Sequence, residues 1–569
     1  MRLRSVLHSS KAAQAAATLL ACLAASCLLT WPLARDAGTH YPSAPDMPDV
    51  NVALWLPAHL ISAMQNGHSL WFAPDLLWPD GQNVALLIWN LGIPLFQVPF
   101  YLLYEPLQAY NLSLVCIGAF NGLGGFLLGR RIGGVAAGCA GAALAMTNPY
   151  VWHELLQGPA DPGLLLFVLL TASGLLALHR EPTTREAVIT GVFWGIAGLC
   201  YWFYGYFSLL LVLVLSAIAL ARRQWPLLRS LVVASVVSAL VAGPFAAFLL
   251  WQALSDGSIY LRSTDTSLLN MLHAQTRGAS LGLSTLVWPL SMPAYLRDLL
   301  PLTALAVLVA GLVGGVRRRA GFFAPLGLIA VVLAMGRQLQ WTPNELVSIG
   351  ESALTLPFAW MQAALPGFER MWWPYRFLSL FAVGAAGCAA ALVAAVPPRI
   401  RWVVAALVVG GASAELRWSQ VATAGRLYWD APERMERYPL FDQLASSPGQ
   451  HPILSLPFRG FTANRVLWQP YHQQPISLGL GDQEDFMISP EALARTAADP
   501  TLRYLKSVGR LHPNQGMEPP PGPIKPALKT LGFHYAVLWA DQERQVKQYT
   551  QLLGEPDHRE STFVAWKLQ

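Results

Sequence analysis

Residues 206–223 read YFSLLLVLVLSAIALARR, an apolar run that ends in two arginines, and residues 231–251 form a second apolar run, LVVASVVSALVAGPFAAFLLW. About 20 apolar residues in succession cross the hydrocarbon core of a bilayer as an α-helix. The chain of 569 residues is 54% apolar and only 12% charged. This composition excludes an ordinary soluble enzyme and a disordered chain. The predicted fold class is therefore an α-helical polytopic membrane protein.

The arginines stand in short runs between the apolar stretches, which is how membrane topology is set rather than how nucleic acid is bound. Arg2, Arg4 and Lys11 precede the first apolar stretch, so we place the N-terminus in the cytoplasm. Keeping the later arginine runs on that side requires about eleven transmembrane helices, at residues 13–33, 107–128, 133–147, 163–179, 187–204, 206–221, 229–251, 300–316, 320–336, 377–396 and 402–416.

One apolar stretch, residues 84–104, does not fit this scheme. It is long enough to cross, but as a full span it would move Arg130 and Arg131 to the outer side of the membrane. It also contains Asn90 and Pro99, and broken backbone at membrane depth is tolerated only when it is buried in protein or lines a wet cavity. We therefore predict a re-entrant or interfacial segment.

An odd number of spans places the C-terminus outside, together with the long loops 34–83, 252–299 and 337–376. In the last part of the chain, helical patterns alternate with short β-type runs at residues 452–458, 475–480, 533–540 and 562–568. This alternation predicts an extracytoplasmic α/β domain. We therefore divide the chain into a transmembrane domain, residues 1–416, and a C-terminal domain, residues 417–569.

The first outside loop has the greatest potential for chemistry. Asp46 and Asp49 follow the first span, and aromatic residues such as Trp71 and Trp78 would seat the loop at the lipid headgroups. A carboxylate at that depth lies in a poor dielectric, where it can act as a general base. A turn or cap is the alternative role, because Asp beside Pro commonly begins a turn.

These features resemble the GT-C class of membrane glycosyltransferases, in particular its uncharacterised bacterial members. The resemblance extends loosely over residues 10–400 and includes an acidic residue after the first span, followed by interfacial helices and a Trp-Pro turn. The matching residues are Asp49 with Asn51 and Trp55, Trp78-Pro79-Asp80-Gly81, Tyr110-Asn111, Gly129-Arg130-Arg131, Thr147-Asn148-Pro149-Tyr150, Leu365-Pro366-Gly367-Phe368-Glu369-Arg370 and Trp373-Pro374-Tyr375-Arg376-Phe377.

The resemblance implies a hexosyl- or pentosyltransferase of a bacterial inner membrane. It would move a sugar from a polyprenyl-phosphate donor to an acceptor glycan, lipid or protein at the extracytoplasmic face, with inversion at the anomeric carbon. Asp49 would be the general base or a carboxylate that holds a divalent cation, and Asp46 is the fallback. A second carboxylate often comes from the next outside loop, which here offers Glu154 and Asp161; His153 is an alternative metal ligand.

A departing lipid phosphate requires cations where negative charge develops, and the planar guanidinium of Arg suits this role. The outside loops offer Arg262 and Arg277 after residue 252, and Arg370 and Arg376 before residue 377. The aromatic residues around the last two suit the membrane interface, so we expect these two to bind the donor phosphate. Anchoring at the headgroups is the alternative for both.

Two other function classes stay open. A transporter or flippase of lipid-linked glycans would place ionisable residues inside its spans, whereas the acidic residues here collect in outside loops. A catalytically silent scaffold would keep the architecture and bind a partner through its tail. No glycine-rich phosphate loop follows a predicted strand, so nucleotide use has no support. No Gly-x-Ser-x-Gly motif marks an esterase either.

Overall fold

A computed structural model describes residues 2–42, 48–85, 90–157, 160–255, 280–284, 300–342, 345–350, 352–365, 368, 371–423, 435, 437–458, 463–479, 490–508, 520, 522–539 and 543–568. The backbone of Asp49 is among them, but its side chain is not. The N-terminal helices, in chain order, are α1 (Arg2–Leu29), α2 (Leu33–Asp36), α3 (Pro48–Asn66), α4 (Gly92–Tyr101), α5 (Pro106–Gly133), α6 (Val135–Met146), α7 (Pro149–Gln157), α8 (Leu166–Arg180), α9 (Thr184–Cys200), α10 (Trp202–Ala221) and α11 (Trp225–Ser255).

The later helices are mixed with short strands. They are α12 (Leu302–Gly311), α13 (Gly314–Ala320), α14 (Phe323–Ala334), α15 (Pro357–Ala364), α16 (Leu378–Ala395), α17 (Arg401–Thr423), α18 (Pro439–Ser446), α19 (Gln469–His472), α20 (Pro490–Ala498), α21 (Pro500–Val508), α22 (Ile524–Thr530) and α23 (Glu543–Leu553). Short antiparallel pairs join β1 (Phe72–Ala73) with β2 (Gln82–Asn83), β3 (Gln340–Thr342) with β4 (Glu345–Leu346), and β5 (Ser348–Ile349) with β6 (Ser352–Ala353).

Each of the eleven predicted segments overlaps one of these helices, from α1 to α17. Among the described residues, five stretches are long and apolar enough to cross a membrane: Pro106–Gly133, Asp161–Arg180, Trp202–Ala221, Trp225–Gln252 and Pro374–Ala395. Four shorter apolar helices accompany them, at Ala16–Leu29, Val135–Met146, Leu302–Gly311 and Phe323–Ala334. The chain is a mostly helical, multi-pass membrane protein, and the number of eleven spans stays a prediction.

Helix α16 lies at the centre of the bundle. It is buried along nearly its whole length and contacts α5, α6, α12 and α14. Small residues allow such close packing inside a membrane bundle. Between α5 and α6, a Cβ built on Gly129 would lie 2.3 Å from the carbonyl oxygen of Ala137, and one on Gly125 would lie 2.4 Å from that of Gly141. Glycine is therefore required where these two helices touch.

Arg131 and Arg180 lie together at one end of the bundle. Arg131, at the end of α5, donates to the carbonyl oxygen of Ser173 at 2.8 Å and lies 3.5 Å from the carboxylate of Glu186. Arg180, at the end of α8, donates to the carbonyl oxygen of Arg131 at 2.8 Å. The first residues of α8 and the last of α9 therefore meet at the opposite end.

The stretch predicted to be re-entrant or interfacial, residues 84–104, contains a short helix. Its residues 86–89 lie outside the described residues, and α4 follows with ten residues, which rise about 15 Å or half the thickness of a bilayer core. Gln97 of this helix donates to the hydroxyl of Ser113 in α5 at 3.0 Å. The re-entrant or interfacial placement stays a prediction.

The C-terminal part contains a four-stranded sheet of β7 (Ile453–Leu456), β8 (Tyr535–Trp539), β9 (His558–Arg559) and β10 (Phe563–Lys567), in the order β7-β8-β10-β9. Strand β7 runs parallel to β8, and β10 is antiparallel to both of its neighbours. Three of the four predicted β-type runs coincide with these strands. The run at 475–480 forms no strand in its described residues, although Ile476 makes a bridge to Ile453. The boundary at residue 417 stays a prediction.

Candidate functional site

A buried ion pair joins two predicted site residues at the end of the bundle opposite the arginine cluster. Nε of Arg376 lies 3.2 Å from one carboxylate oxygen of Glu154, and its NH2 nitrogen lies 3.3 Å from the other. The Glu154 side chain is 1% exposed, whereas the Arg376 side chain is 13% exposed. The carboxylate is thus enclosed behind the guanidinium, which keeps a surface open to a ligand.

Aromatic side chains complete the setting of Arg376. Its NH1 nitrogen donates to the hydroxyl of Tyr201 at 3.1 Å, and its guanidinium carbon lies 5.2 Å from the ring centre of Trp373. The arginine belongs to the one-turn helix Pro374–Phe377, which leads into the central helix α16. The backbone of Arg376 is therefore fixed by the best-packed helix of the bundle, and its guanidinium is held in place by Glu154 and Tyr201.

His153 precedes Glu154 on α7, and its ring lies 5.7 Å from that of Tyr375 in an edge-to-face arrangement. Burial lowers the pKa of His153, and the Glu154 carboxylate opposes this while Arg376 adds to it. The imidazole is therefore neutral at pH 7. A neutral imidazole next to the ion pair adds no charge to the site.

Asp161 is held by an amide from the 84–104 segment. The side-chain nitrogen of Asn90 donates to Asp161 at 2.6 Å, and its oxygen accepts from the backbone N–H of Trp202 at 3.0 Å. Asn121 of α5 fixes the same turn, donating to the carbonyl oxygen of Gly163 at 2.7 Å. Asn90 thus connects the start of α8, the start of α10 and the predicted re-entrant segment.

The helix that carries Asp49 lies against this region. Asp49 is the second residue of α3, and the helix buries Val50, Asn51 and Trp55. It contacts α7, the helix of Glu154, and the indole of Trp55 donates to Gln469 in the C-terminal part at 3.1 Å. The other predicted site residues lie outside the described residues: Asp46, Arg262, Arg277 and Arg370.

Sequence reasoning missed the partners of the predicted residues. Tyr201 is not among the residues selected from the sequence, and Asn90 is selected only as a sign of broken backbone. Asn90 is a polar residue inside an apolar stretch, which was a usable signal. Within the described part of the chain, no three His, Cys, Asp or Glu side chains are grouped so that they could hold a metal ion.

No family model and no curated protein matches the chain. Among solved structures, the archaeal oligosaccharyltransferase AglB from Archaeoglobus fulgidus, in complex with an inhibitory peptide and a dolichol-phosphate, aligns with a TM-score of 0.51 and 13% identity, over 93% of this chain and 70% of that one. An oligosaccharyltransferase from Archaeoglobus fulgidus, solved in complex with Zn and sulfate, aligns with a TM-score of 0.49 and 14% identity, over 92% of this chain and 68% of that one.

ArnT from Cupriavidus metallidurans, bound to undecaprenyl phosphate, aligns over 99% of this chain and 98% of that one, with a TM-score of 0.39 and 11% identity. At such low identity these likenesses concern the fold alone. The fold assignment rests on the alignment with AglB. The resemblance stated from the sequence is confirmed at this level. The chain has the fold of the GT-C class of membrane glycosyltransferases.

Proposed function

We propose that this protein is an inverting glycosyltransferase that moves a sugar from a polyprenyl-phosphate donor to an acceptor at the extracytoplasmic face. The observation that carries the proposal is the Glu154–Arg376 pair, which presents a fixed guanidinium at one end of the bundle. AglB was solved with a dolichol-phosphate and ArnT with undecaprenyl phosphate, and a lipid phosphate of that kind is the ligand we assign to this chain.

Arg376 is the residue that we propose to receive the leaving phosphate. When the bond between the anomeric carbon and the phosphate oxygen breaks, negative charge accumulates on the phosphate, and a preorganised guanidinium stabilises it. Glu154 is enclosed behind Arg376, so we assign it the role of positioning residue for that guanidinium. Arg370, Arg277 and Arg262 remain proposed as further donor-phosphate ligands.

The acceptor hydroxyl needs a base on the other side of the anomeric carbon. We propose that Asp49 takes the hydroxyl proton while the acceptor oxygen attacks that carbon, with inversion, and the polyprenyl phosphate leaves. The contact between α3 and α7 supports this choice, because it brings the helix of Asp49 to the helix of Glu154. Asp161 and Asp46 are the alternative carboxylates. No step is routed through a divalent cation, since Glu154 and Asp161 both have protein partners.

The finer topology belongs to the same proposal. It has eleven spans, a cytoplasmic N-terminus, and an extracytoplasmic C-terminal domain of residues 417–569 in a bacterial inner membrane. The cluster of Arg131 and Arg180 supports it, because positive charge marks the cytoplasmic side. The ion pair of Arg376 lies at the opposite end, where the donor would be met from outside.

The direct test uses purified protein in nanodiscs and a panel of polyprenyl-phosphate hexoses and pentoses. Release of polyprenyl phosphate should occur with one of these donors in the presence of an acceptor extract. Arg376→Gln should lower the rate by about 100-fold or more, since it removes a charged donor from the transition state. The exposed Arg318→Gln, in the run at the other end, is the matched control and should keep full activity.

Absence of release from every donor in the wild type, or equal rates in Arg376→Gln and Arg318→Gln, would overturn the proposal. A silent scaffold gives the first result. A flippase also gives the first result, but it would move labelled donor across a vesicle membrane.

A further inference from the structure

Helices α9 and α11 lie side by side and run in the same direction. A Cβ built on Gly191 would lie 2.5 Å from the carbonyl oxygen of Ala234, and one on Gly195 would lie 2.6 Å from the Cβ of Val241. These contacts advance together along both helices, so the helices are parallel. Small residues allow such a close approach in a membrane bundle. Because α9 begins beside Arg131, α11 begins at the same end of the bundle.

Two arginines lie level with each other at this end. Arg185 lies six residues before Gly191 on α9, and Arg229 lies five residues before Ala234 on α11. Each is therefore about one and a half turns from the contact between the helices. Trp225, which is 59% exposed at the start of α11, marks the level of the lipid headgroups. Arg229 lies about one turn deeper than this indole.

The two arginine side chains also lie on the same side of the helix pair. At about 100° per residue, Arg185 is about 120° around α9 from Gly191, and Arg229 is about 140° around α11 from Ala234 in the opposite sense. For parallel helices that face each other, opposite senses lead to the same side of the pair. Thr190, on the other side of α9, packs against α8. The two arginines therefore face away from the bundle, toward lipid.

Apolar side chains continue below the arginines on this side of the pair. Val188 follows Arg185 by one turn of α9 and is 40% exposed, while Val236 and Leu240 follow Arg229 along α11 and are 54% and 70% exposed. In a bilayer, exposed side chains of this kind contact acyl chains, which are as apolar as leucine. The two helices thus form a shallow apolar groove with an arginine on each side of its end.

The charge at the end of this groove is not neutralised within the described part of the chain. There, Arg185 and Arg229 are exposed and have no ion pair or hydrogen bond. The neighbouring carboxylate of Glu186 lies 3.5 Å from Arg131 instead, and Arg180 donates to a backbone carbonyl oxygen. Two uncompensated guanidinium groups above an apolar groove complement a lipid with a negatively charged headgroup.

We propose that this groove binds one anionic phospholipid of the surrounding leaflet, of the phosphatidylglycerol class. Its phosphate lies between Arg185 and Arg229, and one acyl chain lies along Val188, Val236 and Leu240. Guanidinium groups bind phosphate oxygens through two N–H groups each. A zwitterionic phospholipid also has a phosphate, but the arginines would repel its ammonium group. The site lies at the end of the bundle opposite the proposed donor site, and it does not depend on the proposed function.

Native mass spectrometry of the full protein in detergent measures binding, with an equimolar mixture of dioleoyl phosphatidylglycerol and dioleoyl phosphatidylcholine as probes. The wild type should prefer the first phosphatidylglycerol by about fivefold or more. Arg185→Gln with Arg229→Gln should weaken phosphatidylglycerol binding about 20- to 30-fold, because each arginine near a membrane surface contributes about fivefold in affinity for an anionic lipid. Since both side chains are exposed and unpaired, the lipid-free double variant should unfold at the temperature of the wild type.

Arg318→Gln with Arg319→Gln is the matched control. It removes two exposed arginines of α13 and changes the net charge by the same amount, and it should keep the lipid preference of the wild type. Equal losses in the two double variants would show a diffuse attraction of charge rather than a site. Equal binding of the two lipids by the wild type would show no preference for an anion. Either result would overturn the proposal.

Glycerophosphoglycerol, which has the headgroup without the acyl chains, separates a lipid groove from a simple anion site. It should bind about 100-fold more weakly than the intact lipid or less, because it buries no acyl chain. Binding as strong as that of the lipid would overturn the placement of the chain in the groove. These measurements use no glycosyl donor and no turnover, so their outcome is independent of the donor-cleavage test of Arg376.

Discussion

Glu154 and Arg376 each depend on the other for their buried charge. Removing one member of a buried pair leaves an uncompensated charge and typically costs about 3–5 kcal/mol, whereas removing both charges costs much less. Arg376 also holds Tyr201, so its geometry depends on more than the pair. We therefore expect stability and catalysis to respond differently to single and double substitutions.

Glu154→Gln should lower the unfolding temperature in detergent and reduce donor cleavage at least tenfold, because Arg376 loses its countercharge. The double variant Glu154→Gln with Arg376→Gln should recover most of the unfolding temperature and none of the activity. Thermal unfolding and polyprenyl-phosphate release measure the two effects. Recovery of activity in the double variant would contradict the role of Arg376.

At this scale the sequence predicted individual residues better than their contacts. Glu154 and Asp161 are selected through the family resemblance, as carboxylates of the next outside loop, and Arg376 is selected as a cation among aromatic residues that suit the membrane interface. The pairing of Glu154 with Arg376 was not predicted, since 222 residues separate the two and no local pattern links them. Asn90 was noticed as polar, but its bond to Asp161 depends on where the 84–104 segment folds back.

At the scale of elements, the packing of α5 on α6 limits which residues these helices tolerate. The Cβ of an alanine at position 129 would meet the backbone of Ala137, which cannot move like a side chain. Gly129→Ala should therefore destabilise the protein by about 1–3 kcal/mol through overpacking. Gly410→Ala is the control and should be neutral or stabilising, because an added Cβ there meets no atom of the described residues within 4 Å. Equal unfolding temperatures for the two variants would contradict this account.

The helices themselves follow from the sequence because apolar length and flanking charge are local properties. Each predicted segment overlaps a helix for this reason, from α1 to α17. The run at 475–480 was expected to be a strand, but Ile476 instead joins β7 by a bridge and pairs with the first outside loop. Such pairing between distant segments leaves no periodic signal. Which segments a strand pairs with is therefore harder to predict from the sequence than whether a segment favours the β conformation.

At the scale of the whole molecule, the C-terminal part and the membrane helices share one continuous core. Trp55 of α3 contacts Gln469, and the backbone N–H of Leu107 donates to the hydroxyl of Tyr471 at 3.1 Å. His472 follows in this connection, and its Nδ1 accepts from the backbone N–H of Gln474 at 3.0 Å. Burial lowers the pKa of His472 to about 3.

The low pKa of His472 predicts that the stability of the contact between the C-terminal part and the membrane helices depends on pH. The folded state keeps His472 neutral, while the unfolded chain takes up a proton near pH 6.5, so stability is fully present above that pH. It should fall by at most about 1.4 kcal/mol per pH unit as the pH drops from 6.5 toward 3. Hydrogen exchange around residues 469–478 measures this local stability, and His472→Gln should reduce its dependence on pH. An equal slope in both proteins would contradict the assignment.

The central claim is that a carboxylate on α3 activates the acceptor while Arg376 receives the lipid phosphate. The most direct measurement determines donor affinity and single-turnover rate together, in Asp49→Asn and in Asp46→Asn. We predict that Asp49→Asn binds the polyprenyl-phosphate sugar as tightly as the wild type and transfers it at least 100-fold more slowly, while Asp46→Asn keeps both properties. A normal transfer rate in Asp49→Asn would contradict the account.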